Sequence, residues 1–123
     1  MARQVKLPGK AWFDFKLFGL KWQARIIPSE HKEMDNGATL AFCDFKRRLM
    51  GFGDALTNEQ LRTAFVHELQ HVIEEHADVD YESIASADGA DRCTDQVARG
   101  WLYVIRECPD IIAFLRDERP KGV

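Results

Sequence analysis

Several classes of protein are excluded by what this sequence has little of. No apolar run approaches the ~18 residues that a membrane span needs, so we expect no transmembrane segment. The net charge is -3 at pH 7, and no dense run of Lys or Arg occurs. A weakly acidic chain of this kind is not typical of proteins that bind polyanions. We therefore expect neither a membrane nor a nucleic acid as its partner.

Cysteine is also scarce. Cys43, Cys93 and Cys108 are odd in number and widely spaced, which fits neither a disulfide framework nor a CxxC zinc knuckle. We interpret them as reduced thiols of a cytoplasmic protein. Near residue 1, Pro8 and Asp14 interrupt any apolar stretch, so we expect no signal peptide.

The composition that remains is that of a globular domain. The chain has 123 residues, of which 46% are hydrophobic and 30% charged, which fits one domain over 1–123 with a single modest core. Residues 1–10 are polar and broken by a Pro-Gly pair, and 117–123 are similarly polar. We expect both ends to be loose.

The first half of the chain has the pattern of short strands. The segments that alternate apolar and polar residues, or are rich in aromatic and β-branched residues, are 12–18, 21–27, 39–43 and 46–52. Sequential strands usually neighbour one another in a sheet. The sequence therefore predicts a small three- or four-stranded, mostly antiparallel sheet.

The second half has the pattern of helices. Thr57 and Gln60 form a predicted capping box at the start of the first long helix, which should end near Ala77. Its apolar residues recur at helical spacing: Leu61, Phe65, Leu69, Val72 and Ile73. A second long helix is predicted from about residue 88 or 90 to Glu107, and a short one over 110–116 after Pro109. Together with the sheet, these helices predict an α+β fold.

The second helix also has a predicted buried stripe. Ala98, Trp101, Leu102 and Ile105 recur at helical spacing and are expected in the core. Asp91 and Asp95 precede them on the same stripe, two turns and one turn earlier. The start of this core-facing stripe would thus carry two carboxylates.

The first long helix contains an HExxH motif at His67-Glu68-Leu69-Gln70-His71. On a helix, His67 and His71 lie only ~40° apart, on a face different from that of Leu69, so the two imidazoles can share a Zn²⁺ ion. Glu68 lies between them, where a general base would be. The motif therefore predicts a catalytic zinc site with two of its protein ligands on one helix.

A catalytic zinc site usually has a third protein ligand, and several acids are candidates. Asp91 and Asp95 lie 20 and 24 residues beyond His71. His76 is ~140° round the helix from His71 and should point away. The connection between the two helices offers three further carboxylates, Asp78, Asp80 and Glu82.

HExxH followed by acids on the next helix resembles the gluzincin type of zinc metallopeptidase. In that pattern the first acid is the third ligand, and the acid one turn later hydrogen-bonds the first histidine. The resemblance implies that Asp91 is the ligand and that Asp95 holds His67. The family uses Glu where this chain has Asp, which is one methylene shorter. Asp95 as ligand, or Glu82, therefore remains an alternative.

A closer resemblance covers residues 18–115. The matching residues are Phe18-Gly19-Leu20-Lys21-Trp22, Asn36-Gly37, Cys43-Asp44, Lys46, Leu56-Thr57, Phe65 to His71, and Glu107-Cys108-Pro109. They are similar to small phage and prophage proteins regarded as minimal metallopeptidases. This resemblance implies a minimal zincin-like fold, a Zn²⁺ cofactor, and a peptide or protein substrate.

These observations predict a zinc-dependent hydrolase in which zinc-bound water, activated by Glu68, attacks a peptide carbonyl. The candidates for stabilising the oxyanion are Tyr81, Tyr103, His31 and His76. An alternative is a non-catalytic or regulatory phage-type binding protein on a zincin-like fold, with a structural metal or none.

Overall fold

The computed structural model describes residues 7–116. Most of the predicted loose ends, 1–6 and 117–123, lies outside the described residues. At the described end of the N-terminal arm, the carbonyls of Pro8 and Gly9 accept hydrogen bonds from Arg25, at 2.5 and 2.7 Å. This part of the arm is therefore tied to the sheet.

Four strands form one mixed sheet. They are β1 (Lys10–Leu17), β2 (Leu20–Ile27), β3 (Ala41–Asp44) and β4 (Leu49–Gly53). Their order is β1-β2-β4-β3, with antiparallel pairing of β1 with β2 and of β3 with β4, and parallel pairing of β2 with β4. The predicted mostly antiparallel sheet is confirmed, and β3 lies at one of its edges.

The β1–β2 hairpin is closed by a two-residue turn at Phe18 and Gly19. Both residues have positive φ, 50° and 79°, as a type I′ turn requires, and this turn matches the twist of the flanking strands. Leu17 and Leu20 pair across it. The turn therefore fixes the register that brings Phe15 and Trp22 of the two strands opposite each other.

Three helices follow the strands: α1 (Asn58–Ala77), α2 (Ala87–Glu107) and α3 (Pro109–Arg116). The chain also forms two short 3₁₀ helices, Lys32–Gly37 and Tyr81–Ala85. With the sheet, these helices confirm the predicted α+β fold. Within residues 7–116, none of the helices has the length and apolar character that a membrane crossing requires.

Helix α1 begins at the predicted capping box. Thr57 Oγ1 accepts a hydrogen bond from the Gln60 amide, and Gln60 Oε1 accepts one from the Thr57 amide. The predicted apolar stripe is buried in the core between α1 and the sheet: Leu61, Phe65, Leu69, Val72 and Ile73. Around Phe65 lie the rings of Phe15, Phe52 and Phe114. This aromatic contact fixes the rotation of α1 about its axis.

Helix α2 is rotated relative to its predicted orientation. Cys93, Gly100 and Val104 are buried, whereas Leu102 and Ile105, predicted in the core, are 44% and 60% exposed. The predicted burial is therefore wrong for Ala98, Leu102 and Ile105, whereas Trp101 is partly buried against the core. The reason is that a glycine, and not a large apolar residue, gives the closest approach of two helices.

Helices α1 and α2 approach each other most closely at Gly100. A Cβ at Gly100 would lie 2.3 Å from Cγ2 of Ile73 on α1. Two further contacts, from Gln96 to the Ala77 carbonyl and from Trp101 to Gln70, show that α2 runs antiparallel to α1.

Substituting Gly100 by alanine should lower the free energy of unfolding by about 1–2 kcal/mol, because overpacking against the fully buried Ile73 outweighs the ~1 kcal/mol gained in helix propensity. Urea denaturation measures the change. In an Ile73→Ala background the clash is gone, so the same substitution should stabilise the fold by up to ~1 kcal/mol. Equal destabilisation in both backgrounds would show that this contact is not the cause.

Candidate metal centre

The rotation of α1 that buries its apolar stripe turns the two histidines of the motif to solvent. His67 and His71 are exposed, and their Nε2 atoms lie 3.1 Å apart. Two nitrogens at about 2.05 Å from a tetrahedral zinc ion would be about 3.3 Å apart. The spacing of the pair therefore fits two ligands of one zinc ion.

Glu68 lies on the neighbouring, buried face of α1, close enough for both imidazoles to influence its carboxyl group. It is the buried charged residue of the described chain, with 6% of its surface exposed. Burial raises the pKa of its carboxyl group above the ordinary value, and the imidazoles of His71 and His67 oppose that rise. A carboxylate with a raised pKa is a stronger base, which suits the predicted role of proton acceptor.

Cys43 of the edge strand lies near Glu68, a neighbour that the sequence analysis did not identify. Burial, and then the negative charges of Glu68 and Asp44, raise the pKa of the Cys43 thiol from 9.0 to about 12. With this pKa the thiol is protonated at neutral pH, beside the carboxylate. The alternation of residues 39–43 predicted a strand, but nothing in that pattern indicates which helix the strand covers.

The backbone of β3 offers hydrogen-bonding groups at the outer edge of the sheet. Leu40 accepts a hydrogen bond from the Gly53 amide of β4 at 2.9 Å, and alternation along an antiparallel strand turns Phe42 to β4 as well. The amide and carbonyl groups of Ala41 and Cys43 consequently point away from β4. An extended peptide could pair with them.

Cavities lie on both sides of the histidine pair. The cavity beside His67 has a volume of about 570 Å³, and Leu40 and Leu56 are among its lining residues. The cavity beside His71 has a volume of about 270 Å³, and its lining includes Glu74 and Tyr81. The pair therefore lies between a cavity with a mixed polar and apolar lining and an acidic one.

Asp91 and Asp95, the predicted ligand and its partner, are not brought to the pair. Both are exposed, and Asp95 pairs with Arg99 of its own helix at 2.9 Å. Because Gln96 is level with Ala77 in the antiparallel helix pair, Asp95 lies about 10 Å along the α1 axis from His71, and Asp91 about 16 Å.

Glu82, the other predicted alternative, is exposed in the second 3₁₀ helix. Within residues 7–116, no group of three or more His, Cys, Asp or Glu side chains is arranged to hold a metal ion. The described part of the chain therefore brings together two candidate zinc ligands and a buried carboxylate, without a third candidate ligand.

Three of the four candidates for oxyanion stabilisation have structural contacts elsewhere. His76 and Tyr103 both stack on Phe18, with ring centroids 3.8 and 4.7 Å from it. Nδ1 of His31 accepts a hydrogen bond from the Glu33 amide at 3.1 Å and so caps the first 3₁₀ helix. Tyr81 differs, because it lines the cavity that His71 also lines.

The rate at which the Cys43 thiol is alkylated should depend on the charge of Glu68. With a pKa of about 12, its thiol should react with iodoacetamide at neutral pH roughly a thousandfold more slowly than in the unfolded chain. Glu68→Gln should speed this reaction several-fold, since it removes a negative charge, while Glu75→Gln, on the exposed surface of the same helix, should not. Mass spectrometry of the Cys43 peptide gives the rates. Equal rates in wild type and Glu68→Gln would contradict the proximity of the two groups.

Comparison with known proteins gives no relative of this chain: no protein-family model, no curated protein and no solved structure matches it. The resemblance to small metallopeptidases therefore stays a prediction.

Proposed function

We propose that this protein is a zinc-dependent hydrolase, most simply a metallopeptidase, with His67 and His71 as zinc ligands and Glu68 as general base. The observation that carries the proposal is the geometry of the motif. Two Nε2 atoms lie 3.1 Å apart in solvent, and the carboxylate between them in sequence is buried. Bound zinc would polarise a substrate carbonyl and make a water molecule more acidic.

Glu68 then performs the proton transfers. Its carboxylate accepts the proton of the attacking water, and burial supports this step because the raised pKa increases its proton affinity. Once the carbonyl has been attacked, the carboxylic acid returns the proton to the leaving nitrogen. One side chain thus acts as base and then as acid.

A peptide is the substrate that best suits the surroundings of Glu68. The edge groups of Ala41 and Cys43 could hold an extended backbone by strand addition. Cys43 is close enough to Glu68 for the carboxylate to raise the pKa of its thiol, so a backbone paired there would lie near the base. The cavities beside His67 and His71 would accept side chains on either side.

Asp91 stays the predicted third ligand, with Asp95 and Glu82 as alternatives. Each would require its segment to come closer to His71 than it is in the described structure. That requirement favours a second candidate function, a non-catalytic or regulatory binding protein on the same fold, with a structural metal or none. The two functions differ in whether the motif binds zinc and whether Glu68 is needed.

Measuring the zinc content of the protein distinguishes a zinc-binding motif from a chance pair of histidines. Wild-type protein purified without chelators should contain about one zinc ion per chain, and His67→Ala and His71→Ala should lose most of it. His76→Ala is the matched control, because His76 lies on the same helix but stacks on Phe18. Elemental analysis by mass spectrometry measures the content. Wild type without stoichiometric zinc would overturn the proposal.

Glu68→Gln separates a hydrolase from a binding protein. The variant should retain zinc, and its hydrolysis of a quenched-fluorescent peptide library should fall by about 10²–10⁴-fold, since the general base is lost. Glu107→Gln makes the same change of charge at an exposed position of α2 and should leave hydrolysis unchanged. Hydrolysis that survives in Glu68→Gln would exclude the proposed mechanism.

A further inference from the structure

The edge of the His71 ring that faces away from His67 lies against a carboxylate. Nδ1 of His71 is 3.6 Å from Oε1 of Glu74, which is three residues later on α1. The Tyr81 hydroxyl donates a hydrogen bond to the other oxygen, Oε2, of the same carboxylate. All three side chains line the cavity of about 270 Å³ beside His71. They form a continuous chain from Tyr81 through Glu74 to His71.

Tyr81 is itself held by its backbone neighbours. The Asp80 side chain accepts a hydrogen bond from the Glu82 amide at 3.1 Å, which caps the second 3₁₀ helix at the residue before Tyr81. The Asp80 carbonyl accepts hydrogen bonds from Ser83 Oγ at 2.7 Å and from Cys93 Sγ at 3.1 Å. Because Cys93 belongs to α2 and is buried, the position of Tyr81 depends on the packing of that helix.

The contact between the two histidines requires a definite arrangement of protons. Two neutral imidazoles with Nε2 atoms 3.1 Å apart need one N–H donor and one lone-pair acceptor. An ionised carboxylate only accepts hydrogen bonds, so Glu74 favours the proton of His71 on Nδ1. Nε2 of His71 then carries the lone pair, and His67 donates.

We propose that Glu74, held in place by Tyr81, is a positioning residue that keeps the proton of His71 on Nδ1 and leaves Nε2 free to bind a metal ion. The metal-binding part of this inference rests on the proposed function. The proton arrangement does not, because it concerns the metal-free protein. Glu74 contacts the Nδ1 edge of His71, on the far side of the ring from the Nε2 pair, so it supports a ligand and is not one itself.

The test of the proton arrangement uses metal-free protein labelled with ¹⁵N, at a pH about two units above the ordinary histidine pKa. Long-range ¹H–¹⁵N spectra distinguish imidazoles protonated at Nδ1 from those protonated at Nε2. Wild-type His71 should be protonated at Nδ1, and Glu74→Gln should shift it towards a mixture, because an amide can donate as well as accept. Glu75→Gln, whose side chain lines the same cavity, should leave the tautomer unchanged.

Zinc affinity gives the second measurement, by competition with a chromophoric chelator. Glu74→Gln should weaken zinc binding roughly 10- to 100-fold, as loss of a histidine's supporting partner generally does. Tyr81→Phe should weaken it less, since the carboxylate remains, and it tests the chain without touching Glu74. Glu75→Gln should bind zinc as wild type does.

The outcomes separate this inference from the proposed function. Wild-type His71 protonated at Nε2, or a tautomer unaffected by Glu74→Gln, would overturn the positioning role whatever the zinc result. Unchanged zinc affinity in Glu74→Gln would overturn it while leaving the proposed function intact. If wild type binds no zinc, the proposed function fails, and the tautomer spectra still decide the role of Glu74.

Discussion

The packing of Phe65 against the aromatic side chains of the sheet and α3 sets the rotation of α1, and the candidate site depends on that rotation. Ring centroids of Phe15 and Phe114 lie 5.5 and 4.8 Å from that of Phe65. With this face buried, the 100° step of an α-helix turns His67 to solvent and brings Glu68 under β3. A rotation by one residue in one direction would bury both imidazoles, and in the other direction it would expose the base. The core and the site are therefore specified by the same contacts.

The burial of Glu68 has an energetic cost that is consistent with a functional site. Its folded-state pKa is raised by desolvation, so its contribution to stability is fully present below the unfolded-state pKa and is lost as the pH rises through the folded-state pKa. Above the folded-state pKa, the ionised carboxylate therefore destabilises the metal-free protein relative to its protonated form. Residues with perturbed pKa values concentrate at functional sites because catalysis needs them there. A buried apolar residue at this position would stabilise the fold but could not accept a proton.

The sequence alone predicts the structural features that depend on a local residue pattern. It does not predict those that depend on contacts between distant segments of the chain. The Thr57 capping box, the stripe of α1 and the histidine pair all follow from spacing along one helix, and the structure has each of them. The parallel pairing of β2 with β4 joins strands separated by β3 in sequence, so no local pattern indicates it. The face of α2 was misassigned because Leu102 and Ile105 have helical spacing, while the contact that orients the helix is made by Gly100. The prediction that Asp91 and Asp95 lie beside a zinc ion depended on that face being turned to the core.

The observed orientation of α2 changes how this helix is connected to the candidate site. With Asp91 and Asp95 facing solvent, its connection to the histidines runs through Cys93, the Asp80 carbonyl, Tyr81 and Glu74. That connection reaches His71 but not His67. The two histidines therefore differ in where their rings carry the proton. In the proton arrangement that Glu74 favours, Nε2 of His71 already carries a lone pair, whereas His67 must move its proton from Nε2 to Nδ1 before it can bind a metal. If the pair binds zinc as proposed, His71 would be the preorganised ligand, and the free energy of moving the proton of His67 would be subtracted from that of metal binding.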